Sequence, residues 1–149
     1  VIELWFIKEV ARKFSATSFL FFEFSGFMKK IVIIEDDLTI LQMYQLKFEA
    51  EGYQVYTATN GVEGLSVLHG MHTDVLLLDL MMPEMDGATM LSELRKSPWG
   101  KKIPVIILTN ISRDEMPLIL NKLNVTDYII KANTTPQGVL EKVQKILAI

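Results

Sequence analysis

The feature that most constrains the fold is the segment from residue 74 to 87, which reads DVLLLDLMMPEMDG. The apolar run VLLL has the length of a buried strand, and it delivers one acid, Asp79, to the point where that strand ends. Pro83 and Gly87 mark the turn that follows. Burying an aspartate there costs free energy and contributes nothing to packing. We therefore interpret Asp79 as a residue with a chemical role.

A second apolar run ends on acids, because the segment IVIIEDD places Glu35, Asp36 and Asp37 after a predicted strand. Carboxylates that converge on one pocket repel each other, so they need a cation or raised pKa values. The chain has no Cys and 2 His, which favours a hard cation with oxygen ligands, Mg²⁺ or a similar ion. In the alternative interpretation these acids only cap the next helix. That suits Asp37 but leaves Asp79 unexplained.

Length and composition predict a single globular domain. A chain of 149 residues can build one full core, and its 50% hydrophobic and 22% charged residues exclude a disordered chain. The net charge of −3 gives no basic footprint, so we expect no direct nucleic acid binding. The absence of Cys excludes disulfides, zinc–cysteine sites and thiol catalysis, and it is compatible with a cytoplasmic protein.

The first 27 residues differ from the rest, because they hold 7 of the 8 Phe. Met28 stands directly before the strand pattern KKIVII, so we expect it to be the true start. Residues 1–27 would then be an atypical extension from a misplaced start, and residues 28–149 the domain. An amphipathic helix on a membrane surface and a signal or anchor segment are the alternatives. Glutamates interrupt the apolar stretches, so we expect no transmembrane segment.

Strand and helix patterns alternate from Lys29 onward. Apolar residues recur at helical spacing between strand-like runs, as in Leu41, Tyr44 and Phe48. Five strands alternating with five helices predict an α/β fold, a doubly wound five-stranded parallel sheet with right-handed crossovers. The predicted strands are 31–34, 54–58, 75–78, 105–108 and 127–130.

The ligand site of such a sheet lies beyond the carboxyl ends of its strands. Four strands end there on chemically useful residues, namely Glu35 with Asp36, Asp79, Thr109 and Lys131. We therefore expect three acids, a hydroxyl and an amine to meet at one edge.

The segment after the fourth strand carries conflicting signals. Ser112 and Glu115 suit a capping box. Pro117, however, would remove a backbone hydrogen bond from a helix that began at Arg113, and it disfavours helix at Met116. We expect a helix that begins late, near Pro117, or bends in its first turn. A straight helix from 113 to 122 would contradict this.

With these features the chain resembles a receiver domain of two-component response regulators. The resemblance covers residues 29–149 and rests on the acidic pair, the segment LLLDLMMPEMDG, the Thr and the Lys, in the family's order and spacing. It implies a flavodoxin-like fold with strand order 2-1-3-4-5. It also implies a cytoplasmic phosphoprotein. Because no DNA-binding or enzymatic output domain follows in the sequence, we expect a stand-alone response regulator.

The resemblance assigns a metal site and a phosphoacceptor. It implies that Asp79 accepts the phosphoryl group, that Asp36 binds Mg²⁺ directly and that Glu35 acts mainly through water. The backbone carbonyl of Met81 would complete the metal shell.

The resemblance also assigns the residues that read the phosphoryl group. Thr109 would donate its hydroxyl to one phosphoryl oxygen, Lys131 would pair with another, and the Tyr128 rotamer would report the switch. Taken singly, they would be a strand-end cap, a surface charge and a half-buried aromatic. Their positions follow from the assignment of Asp79, and that gives them weight.

The chain departs from the family pattern after the lysine. The family usually has a cis proline there, whereas here Ala132 follows Lys131. A cis bond before another residue type costs about 3 kcal/mol, so this bond is either trans or held under strain. Met81 and Asn110 stand where the family tunes the lifetime of the phosphate.

Three functions compete. The first is a switch that takes its phosphoryl group from a histidine kinase or phosphotransfer protein, catalyses its own Mg²⁺-dependent phosphorylation and dephosphorylation, and signals to an unknown protein target. Family analogy also allows a phosphorylation-dependent homodimer. The second is a degenerate receiver that only binds a partner. The third is an Mg²⁺-dependent hydrolase with an aspartyl-phosphate intermediate, but such enzymes usually carry a second acid where this chain has Met81.

Overall fold

The computed structural model describes residues 28–148. The alternatives considered for residues 1–27 lie outside the described residues. Within residues 28–148, no helix is both long enough and apolar enough to cross a bilayer.

Five strands and four α-helices alternate along the described chain. The strands are β1 (Lys30–Ile34), β2 (Gln54–Ala58), β3 (Val75–Leu78), β4 (Val105–Thr109) and β5 (Asp127–Ile130). The helices are α1 (Leu38–Ala50), α2 (Gly61–Leu68), α3 (Gly87–Lys96) and α4 (Pro136–Leu147). The five predicted strands are thus confirmed to within one residue at each end.

All five strands are parallel, in the order β2-β1-β3-β4-β5, which confirms the predicted doubly wound sheet. Successive residues of β1 point to opposite faces: Ile33 packs with Phe48 of α1 and Val143 of α4, and Ile34 packs with Met90 of α3. Because helices cover both faces, the inner strands β1, β3 and β4 read as almost continuous apolar runs. Each fully buried side chain of this kind stabilises the fold by roughly 1.5–3 kcal/mol.

The segment between β4 and β5 differs from the predicted pattern of five helices. It forms two 3-10 turns, Arg113–Glu115 and Leu118–Lys122, and the chain is extended at Met116 with ψ 138°. The interruption at Pro117 is confirmed, because no straight helix runs through the segment. A helical segment does begin late, at Leu118 directly after Pro117, but it is a 3-10 helix, so no α-helix forms between β4 and β5. The Ser112 hydroxyl donates to the Glu115 carboxylate at 2.7 Å instead of capping a backbone N–H, so the capping box does not form.

One arginine holds the loops that precede β4 and β5. The Arg95 guanidinium, on the last turn of α3, donates to the backbone carbonyls of Gly100, Ile103, Leu123 and Asn124 at 2.6–3.0 Å. These bonds satisfy carbonyls in segments that have few regular backbone partners. Arg95 therefore ties the end of the 3-10 segment to the body of the domain.

Candidate functional site

The carboxyl edge of the sheet brings together the three acids predicted to meet there. Glu35, Asp36 and Asp79 each offer a carboxylate oxygen, and these oxygens lie within 4.8 Å of one another. Glu35 is 2% exposed and Asp79 is 4% exposed, whereas Asp36 is open to solvent. Two acids therefore form the floor of the site and the third lies at its mouth.

Asp37 lies outside this cluster. Its carboxylate accepts from the backbone N–H groups of Thr39 and Ile40 at 2.9 and 3.1 Å, and it caps the first turn of α1. The prediction of a helix cap is thus confirmed for Asp37.

Lys131 forms ion pairs with both acids on the floor of the site. Its ammonium donates to Glu35 Oε2 at 2.7 Å and to Asp79 Oδ2 at 2.8 Å, and its side chain is only 9% exposed. Burial alone would lower the pKa of Lys131, but the hydrogen bonds and charges of Asp79 and Glu35 outweigh burial and raise that pKa above its ordinary value. The amine is therefore charged at neutral pH.

Burial and a neighbouring acid change the pKa of Glu35. Burial raises the pKa of this carboxyl above its ordinary value, and the charge of Asp79 adds to the rise. The hydrogen bond from Lys131 and the backbone N–H of Asp37, 3.3 Å from Oε1, act in the opposite direction without cancelling it. Three carboxylates lie near a single ammonium here, and only two of them contact it. The negative charge of the site therefore exceeds its positive charge, which favours the binding of a cation.

The turn after β3 holds Asp79 in place. The Met81 backbone N–H donates to Asp79 Oδ1 at 3.2 Å, and the Gly87 N–H donates to the Leu80 carbonyl at 3.0 Å. A Cβ on Gly87 would collide with the Asp79 backbone carbonyl, so glycine permits the start of α3 to pack this close. The Met81 side chain projects into solvent, and the metal-binding role of its carbonyl stays a prediction.

Thr109 ends β4 beside the site. Its side chain is fully buried, and its hydroxyl oxygen accepts from the Ile111 N–H at 3.4 Å. Thr109 pairs with Ile130 in the β4–β5 ladder, which places it next to Lys131 as the strand pattern predicted.

Tyr128 is half-buried on β5 and faces the 3-10 segment. The Arg113 guanidinium lies 5.9 Å from the centre of its ring, within cation–π range. A cavity of about 230 Å³ opens beside the ring, lined by residues of the two 3-10 turns.

Sequence reasoning missed one contact near the site. The Ala132 N–H donates to Asn110 Oδ1 at 3.2 Å, and it joins the loops after β4 and β5. No cis peptide bond occurs within residues 28–148, so the Lys131–Ala132 bond is trans, one of the two forms left open. His69 and His72 are exposed beyond α2.

The structure thus combines a doubly wound parallel sheet with three acids, a hydroxyl and an ammonium at its carboxyl edge, the arrangement expected of a receiver domain. A family model of the response regulator receiver domain matches residues 31–144, and the chain belongs to this family. The chain is thus a receiver domain, and its family serves phosphorylation-dependent signalling in two-component systems.

Relatives and solved structures agree with this assignment. The chain is 32% identical over 119 residues to a probable transcriptional regulator, ycf27, of Porphyridium aerugineum, covering 80% of this chain and 48% of that protein. It is 31% identical over 120 residues to the response regulator SaeR of Staphylococcus aureus (strain USA300), covering 80% and 51%. The chain thus spans about half the length of these relatives. A CheY-like receiver domain protein from Methanospirillum hungatei JF-1 superposes with a TM-score of 0.74 at 28% identity, covering 81% of this chain and 94% of that one.

Proposed function

We propose that this receiver domain is a switch in which Asp79 accepts a phosphoryl group from the phosphohistidine of a histidine kinase or phosphotransfer protein. The contact of one buried ammonium, Lys131, with both Glu35 and Asp79 supports this most directly. An aspartate held this way has a carboxylate oxygen fixed on the floor of the site, and that oxygen is the nucleophile the reaction needs.

The transfer exchanges one bond to phosphorus for another. A carboxylate oxygen of Asp79 forms the new P–O bond while the P–N bond to the donor imidazole breaks, and its electron pair leaves with the imidazole. Such transfers depend mainly on positioning and on neutralising charge. In this proposal Lys131 Nζ, 2.8 Å from Asp79 Oδ2, binds one phosphoryl oxygen and the Thr109 hydroxyl binds another. Water later cleaves the acyl phosphate and releases inorganic phosphate, which ends the signal.

The donor set fits Mg²⁺ as the cofactor. Carboxylate oxygens are hard ligands, and the three acids carry two more negative charges than Lys131 neutralises. In this proposal Asp36 binds the ion directly, Glu35 acts mainly through water and the Met81 carbonyl completes the shell together with Asp79. Bound Mg²⁺ supplies the positive charge that stabilises the phosphoryl oxygens.

The output is proposed to be a protein–protein contact. To reach a phosphoryl oxygen, the Thr109 hydroxyl changes its contact with the Ile111 N–H, 3.4 Å away. That change acts on the 3-10 segment and on Tyr128 beside it, and so biases a two-state surface. A histidine kinase or phosphotransfer protein as the donor, a protein target not yet known, a phosphorylation-dependent homodimer and a cytoplasmic location remain parts of this proposal. So does a receiver unit that spans residues 28–149.

The test is intact mass after incubation with phosphoramidate or acetyl phosphate and Mg²⁺. We expect one labile phosphoryl adduct on the wild type and none on Asp79→Asn. Asp37→Asn is the matched control, because Asp37 caps α1 outside the cluster and asparagine caps equally well.

Three outcomes would contradict the proposal. Stoichiometric labelling of Asp79→Asn would place the acceptor elsewhere. No adduct on a wild type that binds Mg²⁺ would indicate a receiver that only binds a partner. Steady turnover of small phosphate esters would indicate a hydrolase.

A further inference from the structure

A hydrogen bond joins the two loops that leave the sheet at the candidate site. Thr109 and Ile130 are partners in the β4–β5 ladder, so Asn110 and Lys131 leave the sheet side by side. The Ala132 N–H donates to Asn110 Oδ1 at 3.2 Å. The bond thus lies one residue beyond Thr109 and one beyond Lys131.

This bond depends on the identity of residue 132. A proline, which the family pattern usually has here, carries no N–H and could not donate. Residues Lys131–Asn133 form a short 3-10 turn in which no side chain of the capping residue accepts a hydrogen bond. The first N–H groups of such a turn have no partner within it. Asn110 supplies an acceptor for one of them from the neighbouring loop.

Lys131 needs a fixed backbone. Its Nζ reaches Glu35 Oε2 and Asp79 Oδ2 at the same time, at 2.7 and 2.8 Å. A lysine side chain has a flexible four-carbon stem, so its own rotamers do not hold this geometry. A misplacement of about 1 Å can cost on the order of 100-fold in rate. Whatever anchors the turn at residues 131–133 therefore affects the lysine directly.

We propose that Asn110 is a positioning residue that anchors the backbone at Lys131 through the Ala132 N–H. The chain thereby keeps its lysine in place without a proline after it. The effect on rate rests on the proposed function of Asp79 and Lys131. The anchor itself exists in the protein without phosphate and is measurable there.

The first experiment removes the acceptor in two ways. Asn110→Ala removes the amide and its bulk, whereas Asn110→Leu removes the amide and keeps a side chain of similar size. We expect both variants to accept the phosphoryl group from phosphoramidate about fivefold more slowly, the loss expected for one hydrogen bond of this kind. Their Mg²⁺ affinity should fall by less than that of Asp36→Asn, because no proposed metal ligand changes. A slower rate in Asn110→Ala alone would assign the effect to bulk and overturn the proposal.

The second experiment removes the donor. Ala132→Pro lacks the N–H, and Ala132→Gly keeps it as the matched control. If the bond is the cause, Asn110→Ala has no further effect on rate in the Ala132→Pro background, whereas it keeps its full effect in the Ala132→Gly background. Losses that simply add in Ala132→Pro would show that Asn110 acts by another route, and would overturn the proposal.

The third experiment does not depend on phosphorylation. Lys131 is 9% exposed and ion-paired, so a water-soluble acetylating reagent should modify it slowly. Peptide mass analysis should show about fivefold faster modification of Lys131 in both Asn110 variants. Lys142, 42% exposed and paired with Asp127, is the internal control and should react as in the wild type.

These measurements test the proposed function of Asp79 and the proposed anchor at Asn110 separately. A wild type that accepts no phosphoryl group would refute the proposed function, and the acetylation of Lys131 would still test the anchor. Unchanged acetylation of Lys131 in both Asn110 variants would overturn the anchor even in a protein that is phosphorylated normally.

Discussion

The strand β3 is bounded by an acid at each end, and the two acids differ in how they are neutralised. Asp74 precedes the strand at the amino edge, where it accepts from the Lys30 backbone N–H at 2.8 Å and the Lys29 ammonium at 3.1 Å. Asp79 follows the strand at the carboxyl edge, where it shares Lys131 with Glu35 and lies beside Asp36. Asp74 therefore has hydrogen-bond partners of its own, whereas Asp79 belongs to a cluster of three acids that contains a single cation.

The pKa values of the acids at the two edges shift in opposite directions. Burial would raise the pKa of Asp74, but the hydrogen bonds from Lys30 and Lys29 hold it below its ordinary value. At the other edge burial raises the pKa of Glu35, and Lys131 does not bring it back down. A buried acid is therefore no sign of a site by itself. Excess negative charge that the protein leaves unbalanced is the better sign.

The largest effect should come from removing the shared cation. Lys131→Met leaves Glu35 and Asp79 without their ammonium, and we expect phosphorylation of Asp79 to slow by about 10²–10³-fold, the cost of losing one charge-stabilising donor. Because the folded-state pKa of Lys131 is raised, its pairing stabilises the fold at neutral pH, and the variant should unfold at lower denaturant.

Phosphoramidate kinetics and urea unfolding measure both effects. Lys29→Met at the amino edge is the matched control and should keep the wild-type rate of phosphorylation. A wild-type rate in Lys131→Met would remove the lysine from the mechanism.

The next effect concerns the exposed acid. Asp36→Asn should weaken Mg²⁺ binding by at least about tenfold, a loss that even residues outside a coordination shell can cause. Without Mg²⁺ its stability should equal or slightly exceed that of the wild type, because one repulsive charge is gone. Calorimetric titration with Mg²⁺ is the measurement, and Asp37→Asn is the control. Unchanged affinity in Asp36→Asn would exclude Asp36 as a ligand.

The strands were predictable because their signal is local. Parallel strands covered on both faces, such as Val75–Leu78, must be apolar at every position, and polar residues mark where they stop. The edge that carries Asp79 follows from that pattern and from the topology of the sheet. This is why five strands and three acids could be placed without coordinates.

The contacts that complete the site were not predictable, because they are not local. Lys131 reaches Glu35 across 96 positions of sequence, and no spacing rule foretells that one amine will bridge two acids. The bond from Ala132 to Asn110 arises only because β4 and β5 are adjacent. In the 3-10 segment, local signals located the break at Pro117 but not the helix type, which depends on how the segment packs.

A smaller effect should appear at the amino edge. Asp74→Ala removes the acceptor for the Lys30 N–H and the Lys29 ammonium, and we expect the free energy of unfolding to fall by about 1–2 kcal/mol at pH 7. Phosphorylation of Asp79 and Mg²⁺ affinity should not change, because Asp74 lies at the opposite edge of the sheet. Urea unfolding and phosphoramidate labelling test this. A large loss of phosphorylation in a folded Asp74→Ala protein would show that the two edges are coupled.

The smallest expected effect concerns how stability depends on pH. The acids at the two edges of the sheet should change the free energy of unfolding in opposite directions as the pH rises. The pKa of Asp74 is lowered from an ordinary 3.8, so its stabilisation is present above that pH and is lost as the pH falls through its folded-state pKa. The pKa of Glu35 is raised from an ordinary 4.5, so its contribution is fully present below that pH and is lost as the pH rises through its folded-state pKa.

Unfolding free energies measured from pH 3 to pH 7 in chelator should therefore diverge. The wild type should gain stability over Asp74→Ala as the pH rises, and should lose stability relative to Glu35→Gln over the same range. Parallel curves for the two variants would show that both edges neutralise their acids equally well. In that case, excess charge would not distinguish the site from a structural ion pair.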